Sequence, residues 1–384
     1  MNDNKITVGI MTYHHHYNYG TMLQAYALQK AAENCNCNAE IINFIPHRNE
    51  SLSDKILLRI RRLPIYIVEF KKRTVLLKAR NKIAEKKRLF EAFYTEKINL
   101  GKGYYSNSEQ LNQNPPKYEG YIVGSDQTWN PYVANRPEAF YLSFVKDDKL
   151  KGSYAPSVAV DNLNAEQADY IRQKLSGFKF LSCREKTGAL LLEKVLKTNV
   201  EAVLDPTLLL TGDEWRSECR ESIDSEGYLL TYFLEDNKKN RVIAREIAKK
   251  MGLKIKAIPV SYLDFEAKDA DIVDAGPREF LELIDKASMI CTDSFHGTAF
   301  SINLNKNFYS LRKNSDGKMR KENSRISDIL KELGIADRLI ADTPETVSYI
   351  DYEKVNQILD EKRQKSMSYL REMVEEWRKY SDSV

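Results

Sequence analysis

Along this chain, segments with the apolar density of buried strands alternate with segments whose apolar residues recur at helical spacing. That alternation restricts the fold more than any other feature, because it is the signature of βαβ units assembled into parallel sheets. Lys5 to Thr12 reads as a strand, Thr21 to Ala32 as a helix and Glu40 to Phe44 as a second strand. A basic helical region interrupts the pattern. Gly120 to Val123, Leu150 to Ala155, Phe178 to Ser182 and Glu201 to Leu204 then read as strands, with helices predicted over Ala165 to Leu175 and Glu185 to Val195. Pro206, which has no N–H to give to a ladder, ends the last of these strands.

A polar, acidic stretch follows at 206–226, and beyond it the alternation restarts. Strands are predicted over Gly227 to Leu234, Lys254 to Val260, Ser288 to Thr292, 307–311 and 338–340, and helices over Asn237 to Met251, Pro277 to Ala287 and 325–333. From Asp351 the chain reads as one long charged helix packing through a narrow stripe of Val355, Ile358, Leu370, Met373 and Trp377. At 384 residues the chain exceeds what one core supports. The expectation is an α/β protein of two domains, residues 1–210 and 211–350, with a basic helical insertion at about 50–100 and a terminal helix over 351–384.

Composition excludes several classes. No apolar run approaches the ~20 residues of a membrane-spanning helix. The first residues are polar, and Ile6 to Met11 is too short for a signal-peptide core, so a cytoplasmic protein is expected. Five cysteines (Cys35, Cys37, Cys183, Cys219, Cys291) form no CxxC pair, which fits reduced thiols and makes a four-cysteine zinc site improbable. The net charge of +4 comes with no zinc-finger, RNP or helix-turn-helix pattern, so no nucleic-acid partner is expected. Between Lys55 and Lys97, however, lysines and arginines heavily outnumber acids and interleave with apolar residues. Solvated helix faces over a core are the favoured reading. The functional one is peripheral contact with anionic lipid at the inner face of a membrane, or with a lipid-diphosphate acceptor.

In parallel sheets, ligands gather beyond the carboxyl ends of the strands, and four such ends are chemically loaded. The first is Tyr13-His14-His15-His16-Tyr17-Asn18-Tyr19-Gly20-Thr21, where a helix opening offers free N–H groups to an anion. Adjacent histidines in an extended loop diverge, so contact with a ligand is preferred over metal binding for His14, His15 and His16. The second is Gly124-Ser125-Asp126-Gln127-Thr128-Trp129-Asn130-Pro131, whose carboxylate, amides and indole suit a sugar. A capping turn with Trp129 in the core explains the same composition equally well. The third, Ser182-Cys183-Arg184-Glu185-Lys186, places a guanidinium at a helix start, an arrangement suited to phosphate, or to an ordinary ion pair with an acid such as Glu185. The fourth is Thr292-Asp293-Ser294-Phe295-His296-Gly297-Thr298. His296 can exchange protons near neutrality, and the hydroxyls and glycine around it argue against a purely structural histidine.

Read together, Asn18-Tyr19-Gly20 with Leu23-Gln24-Ala25-Tyr26-Ala27-Leu28, GSDQTWNP at 124–131, SYA at 153–155, SCREK at 182–186, DPTLL at 205–209, GPREFLELIDKA at 276–287, TDSFHGTAFSI at 292–302 and SRISDILKELGI at 324–335 resemble the polysaccharide pyruvyl transferase family. The resemblance implies two Rossmann-like domains in a GT-B-like arrangement, with the C-terminal helix crossing back to the N-terminal domain. It also implies transfer of an enolpyruvyl-derived group from phosphoenolpyruvate to a sugar of a cell-surface polysaccharide or its lipid-linked precursor, with phosphate release. No cofactor and no metal enter that chemistry. The implied catalytic residues are His296, as acid or base, and Asp126. Arg184 would hold the donor phosphate or carboxylate, and the wider binding set is Asn18, Tyr19, Gly20, Ser125, Gln127, Trp129, Asn130, Ser294, Gly297, Thr298 and Arg325. Where family members can carry arginine two places before the histidine, this chain has Ser294, so either another cation such as Arg312, Lys313 or Arg325 compensates or the donor differs. The alternatives are a sugar-nucleotide glycosyltransferase on the same scaffold, or a glycan- or lipid-binding module without turnover.

Overall fold

The computed structural model describes residues 5–46, 73–133, 138–219, 227–313 and 323–383. Two parallel sheets carry the architecture. The first has the order β3-β2-β1-β4-β5, formed by β1 (Thr7–Met11), β2 (Asn38–Phe44), β3 (Leu100–Tyr105), β4 (Gly120–Val123) and β5 (Lys151–Ser153). β1 lies at its centre: Val8 is in register with Ala39 on one side and with Gly120 on the other. Its buried run from Val8 to Met11 reflects helices covering both faces. A two-stranded parallel pair, β6 (Ser182–Cys183) and β7 (Glu201–Ala202), extends this layer through a bridge between Gly152 and Phe180.

The second sheet has the order β10-β9-β8-β11-β12-β13, formed by β8 (Tyr228–Tyr232), β9 (Lys254–Ala257), β10 (Ala270–Ile272), β11 (Met289–Thr292), β12 (Phe308–Leu311) and β13 (Leu339–Ile340). Every pairing in both sheets is parallel. Each sheet thus follows the doubly wound Rossmann-like order, in which the chain reverses direction across the sheet beside its first strand. Among the described residues, every strand of the first layer precedes residue 206 and every strand of the second follows residue 226.

Two edge strands, β3 and β10, were not expected. Leu100–Tyr105 contains two glycines and an exposed lysine, and Ala270–Ile272 spans three half-exposed or exposed residues, so neither has the apolar density of an interior strand. The strands expected over 178–182 and 201–204 appear as the short pair β6–β7.

The helices that matter for the site are α1 (Tyr19–Glu33), α2 (Arg80–Lys97), α3 (Ala165–Leu175), α4 (Lys186–Leu196), α5 (Lys238–Met251), α6 (Pro277–Lys286), α7 (Phe295–Asn303), α8 (Asn323–Glu332) and α9 (Tyr352–Ser381). α1 is buried over nearly all its length because it lies between the sheets, against α6 and α7. Tyr19 joins the two domains: its ring stacks on Phe280 at 4.4 Å and its hydroxyl donates to the Ala275 carbonyl at 2.8 Å.

α9 begins on the second sheet, where the Tyr352 hydroxyl donates to Ser301 O, and ends on the first. There Trp377 donates to Lys149 O and lies against Gly120 and Gly152; a Cβ on Gly120 would sit 2.1 Å from the indole. The helix crosses back as expected. The basic region is described only in part, since 47–72 lie outside the described residues. Its described helix, α2, buries Leu89, Phe90 and Phe93 and sends Lys82 and Lys86 to carbonyls of the other domain, Ile272 and Pro259. Among the described residues, no helix is long and apolar enough to cross a membrane.

Candidate active site

In a doubly wound sheet, the crevice for a ligand opens where the strand order reverses, here beyond β1 and β4 in one domain and beyond β8 and β11 in the other. β11 runs directly into the loop that starts α7. Ser294 caps this helix, its Oγ accepting from Gly297 N at 3.3 Å, and Gly297 is required because a Cβ there would lie 2.5 Å from Thr292 Oγ1. The cap places His296 in the first helical turn, where it is 9% exposed. Its Nε2 lies 3.6 Å from Asp205 Oδ2, and its Nδ1 edge faces Gly20 of α1 in the opposite domain.

Asp205 follows β7 and is 1% exposed. Its Oδ1 accepts the backbone N–H and the hydroxyl of Thr207, at 3.0 and 2.7 Å. Its Oδ2 accepts Arg184 Nη1 at 2.9 Å and Ser125 Oγ at 3.0 Å. Burial by itself would favour the neutral acid, but His296, the Arg184 guanidinium and the Thr207 hydroxyl hold the carboxyl well below the usual carboxylate range.

Arg184 stands between β6 and α4 with its guanidinium over the Phe295 ring, 4.4 Å from the centroid. Burial opposes its charge, and Asp205, Glu185 and Asp126 together outweigh that penalty. Its Nε and Nη2 are buried and have no hydrogen-bond partner among the described residues. A buried guanidinium with open N–H groups is costly unless an anion meets it. Arg184 and Asp205 line a cavity of about 210 Å³ together with Phe295, Arg325 and, from α9, Lys362 and Ser366.

Asp126 follows β4 in the left-handed region, with φ of 72°. Its Oδ2 accepts the Thr21 hydroxyl at 2.9 Å and its Oδ1 the Gln127 N–H at 2.8 Å. The structure thus brings Asp126 to the first turn of α1, next to the Gly20 that touches His296, rather than to the Asp205 carboxylate itself.

Several expected ligand contacts are taken up internally. Trp129 is fully buried, donates to Phe140 O at 3.0 Å and packs on Tyr141 and Phe178, so it presents no face to a sugar; the core reading of this indole is the right one. Ser125 is committed to Asp205. Gln127 and Asn130 bond each other at 2.6 Å and close their own turn. Thr298 donates to Ser294 O at 3.0 Å and shares a hydrogen bond with Ser310. Asn18 caps α1. Of the replacement cations, Arg325 lines the cavity with Arg184, whereas Arg312 is exposed and Lys313 acts on Asp293.

The three histidines diverge. His14 is buried against the Tyr94 hydroxyl at 2.8 Å, and burial pushes its imidazole down to about 3, whereas His15 and His16 are exposed. No group of three or more His, Cys, Asp or Glu side chains among the described residues could hold a metal ion. The residue that sequence reasoning passed over is Asp205. Its signal was the Asp-Pro at a strand end, which enters the sequence reading as a strand terminator and within the 205–209 resemblance, with no role for the carboxylate.

Two Rossmann-like domains in a GT-B-like arrangement, with a histidine and an arginine meeting at one buried carboxylate between them, define a two-domain α/β enzyme. The chain belongs to the polysaccharide pyruvyl transferase family, whose model matches residues 18–314, and it is therefore a transferase. The match includes Asp126, Arg184, Asp205 and His296 but stops short of Arg325 and α9.

Among solved structures, the chain is similar to UDP-GlcNAc 2-epimerase from Methanocaldococcus jannaschii, with 16% identity, 93% of this chain and 92% of that one covered, and a TM-score of 0.47. It is also similar to UDP-N-acetylglucosamine 2-epimerase from Rickettsia bellii, with 10% identity, coverage of 96% and 97%, and a TM-score of 0.48. A third similar structure is an alpha-glucosyltransferase in complex with UDP and DNA, with 8% identity, coverage of 96% and 95%, and a TM-score of 0.42. No curated protein matches the sequence.

Proposed function

We propose that this protein transfers a pyruvyl group from phosphoenolpyruvate to a sugar of a cell-surface polysaccharide or its lipid-linked precursor, releasing phosphate. The observation that carries the reading is the pair of open N–H groups on buried Arg184, held by the same Asp205 oxygen that faces His296. Phosphoenolpyruvate carries a phosphate and a carboxylate on a small skeleton. Arg184 holds one anionic group and Arg325, across the same cavity, holds the other, making good the cation that Ser294 removes.

His296, as imidazolium, gives its proton to the methylene carbon, and the adjacent carbon becomes electrophilic. A sugar hydroxyl adds there and returns its proton to the imidazole. The carbon–oxygen bond to phosphate breaks, a second hydroxyl closes the cyclic ketal, and its proton leaves with the phosphate. Asp126 supports the first turn of α1 through Thr21, and that turn walls His296 on the acceptor side.

The test is phosphate release from phosphoenolpyruvate in the presence of a sugar acceptor, comparing wild type with His296→Gln. Loss of about 10²–10⁴-fold in kcat is expected for removal of a general acid. Undiminished turnover in the variant overturns the assignment. Thermal shift supplies an independent check: phosphoenolpyruvate raises the melting temperature if the reading is right. Stabilisation by sugar nucleotides alone points instead to a glycosyltransferase, and vesicle binding without phosphate release points to a non-catalytic module.

A further inference from the structure

Asp205 touches Arg184 and faces His296, and the transfer scheme above gives it no task. We infer that Asp205 is the positioning residue of the site, setting the Arg184 guanidinium and the His296 imidazole in one fixed relation across the domain boundary. In its kinetic consequences the inference rests on the proposed transfer reaction; in its structural content it does not.

The geometry supports this in three steps. Both Thr207 donors bind Oδ1, so the carboxylate cannot rotate about its own bond without losing two hydrogen bonds. Oδ2 is therefore held where it meets Arg184 Nη1 and Ser125 Oγ, with His296 Nε2 at 3.6 Å. Because the Phe295 ring fixes the guanidinium plane and Asp205 takes Nη1, the open edge of Arg184, Nε and Nη2, can point in only one direction.

A bland account exists. Asp205 could be a counter-ion that merely neutralises a buried arginine, with no influence on the imidazole. The two accounts differ in what His296 feels. The charged and titratable groups around this centre include Arg184, Glu185 at 4.0 Å from Arg184 Nη2, Asp126 acting on Arg184, Tyr154 beside Asp205, and Arg325, Asp328, Glu332 and Lys362 in the shared cavity. Asp205 Oδ2 lies 3.6 Å from His296 Nε2, whereas Glu185 and Asp126 act on Arg184. Removing the Asp205 charge therefore takes away the anion that sets the imidazole opposite Arg184.

The experiment is Asp205→Asn, which keeps the shape and removes the charge, read in two ways. In the ligand-free protein, the His296 ring signals are recorded by NMR at one pH, assigned by their absence in His296→Gln. Positioning by Asp205 predicts that these signals move or broaden as the ring loses its fixed setting, while those of the other histidines stay in place. In turnover, KM for phosphoenolpyruvate rises and kcat falls, each by about 10–100-fold, the effect of one charge-assisted hydrogen bond.

A counter-ion role predicts a lower melting temperature with unchanged His296 ring signals, and that result overturns the inference. If wild type releases no phosphate from phosphoenolpyruvate, the proposed reaction falls while the ring signals still decide the role of Asp205. Should Asp205→Asn not fold, Thr207→Val removes one anchor of Oδ1. The inference then predicts a higher KM for phosphoenolpyruvate with folding intact, and wild-type KM in a folded Thr207→Val overturns it.

Discussion

Gly20 and His296 meet across the domain boundary so closely that a Cβ built on Gly20 would lie 2.0 Å from the imidazole Nδ1. The contact joins the first turn of α1 to the first turn of α7, and it exists only while the two domains are docked. No real Cβ tolerates such a separation, so Gly20→Ala must displace the ring, the helix or both. Overpacking of this kind costs about 1–3 kcal/mol. The expected result is a lower melting temperature together with a loss of kcat exceeding what the stability change explains, measured below the melting transition of the variant.

Arg184 and Asp205 form a pair whose side chains are 2% and 0% exposed. Truncating one partner leaves the other charge buried and uncompensated, which costs about 3–5 kcal/mol. Arg184→Leu is therefore expected to lower the urea midpoint strongly. Arg184→Lys keeps a positive charge but loses the planar fork, so it should recover stability more than affinity, with KM for phosphoenolpyruvate still raised. Equal recovery of both would show that the guanidinium geometry is unimportant.

Asp293 follows β11 and accepts the N–H groups of Leu234 at 2.6 Å and Glu235 at 3.2 Å. Burial is the dominant influence and pushes its carboxyl up to about 6, against the pull of those donors and of Lys313. The folded protein thus binds this proton at higher pH than the unfolded chain, whose aspartates titrate near ~3.9. The contribution to stability is largest below the unfolded value and is lost as pH rises from about 4 through about 6. In Asp293→Asn that slope should disappear, which urea midpoints measured across this window will show. A slope equal to the wild type's would assign the pH dependence to another group.

Trp377 lies outside the family match yet anchors the terminal helix to the first sheet. It is 1% exposed and occupies space left by Gly120 and Gly152, so truncation opens a cavity that the sheet cannot close. Trp377→Ala is expected to destabilise the protein by about 3–5 kcal/mol in equilibrium unfolding. Because α9 also lines the cavity through Lys362 and Ser366, a rise in KM for phosphoenolpyruvate should accompany the loss in the folded variant.

How much of the site was legible follows from what each residue depends on. His296 and Arg184 were visible because a strand end followed by a helix start is a local pattern, and such junctions collect ligands in parallel sheets. Trp129 had two readings of equal weight, since an indole in a turn suits a sugar and a core alike, and the aromatic residues that enclose it come from 140–141 and 178. Ser125 and Thr298 looked like ligand contacts because hydroxyls near a site are ambiguous until their partners are known. Asp205 was overlooked for the opposite reason. Beside Pro206 it looked like the end of a strand, and its value comes from Arg184, Ser125 and His296, which lie far from it along the chain.

The sequence by itself determined the α/β alternation repeated on both sides of the 206–226 stretch, the long terminal helix and the junctions at which reactive side chains stand, because these follow from periodicity and from the chemistry of neighbouring residues. Only the tertiary structure decided the strand order within each sheet, the docking of α1 against α6 and α7, and the meeting of Arg184, Asp205 and His296. Those outcomes depend on which distant segments bury one another's apolar faces and satisfy one another's polar groups. That choice is made by the whole chain at once, and no local window of residues contains it.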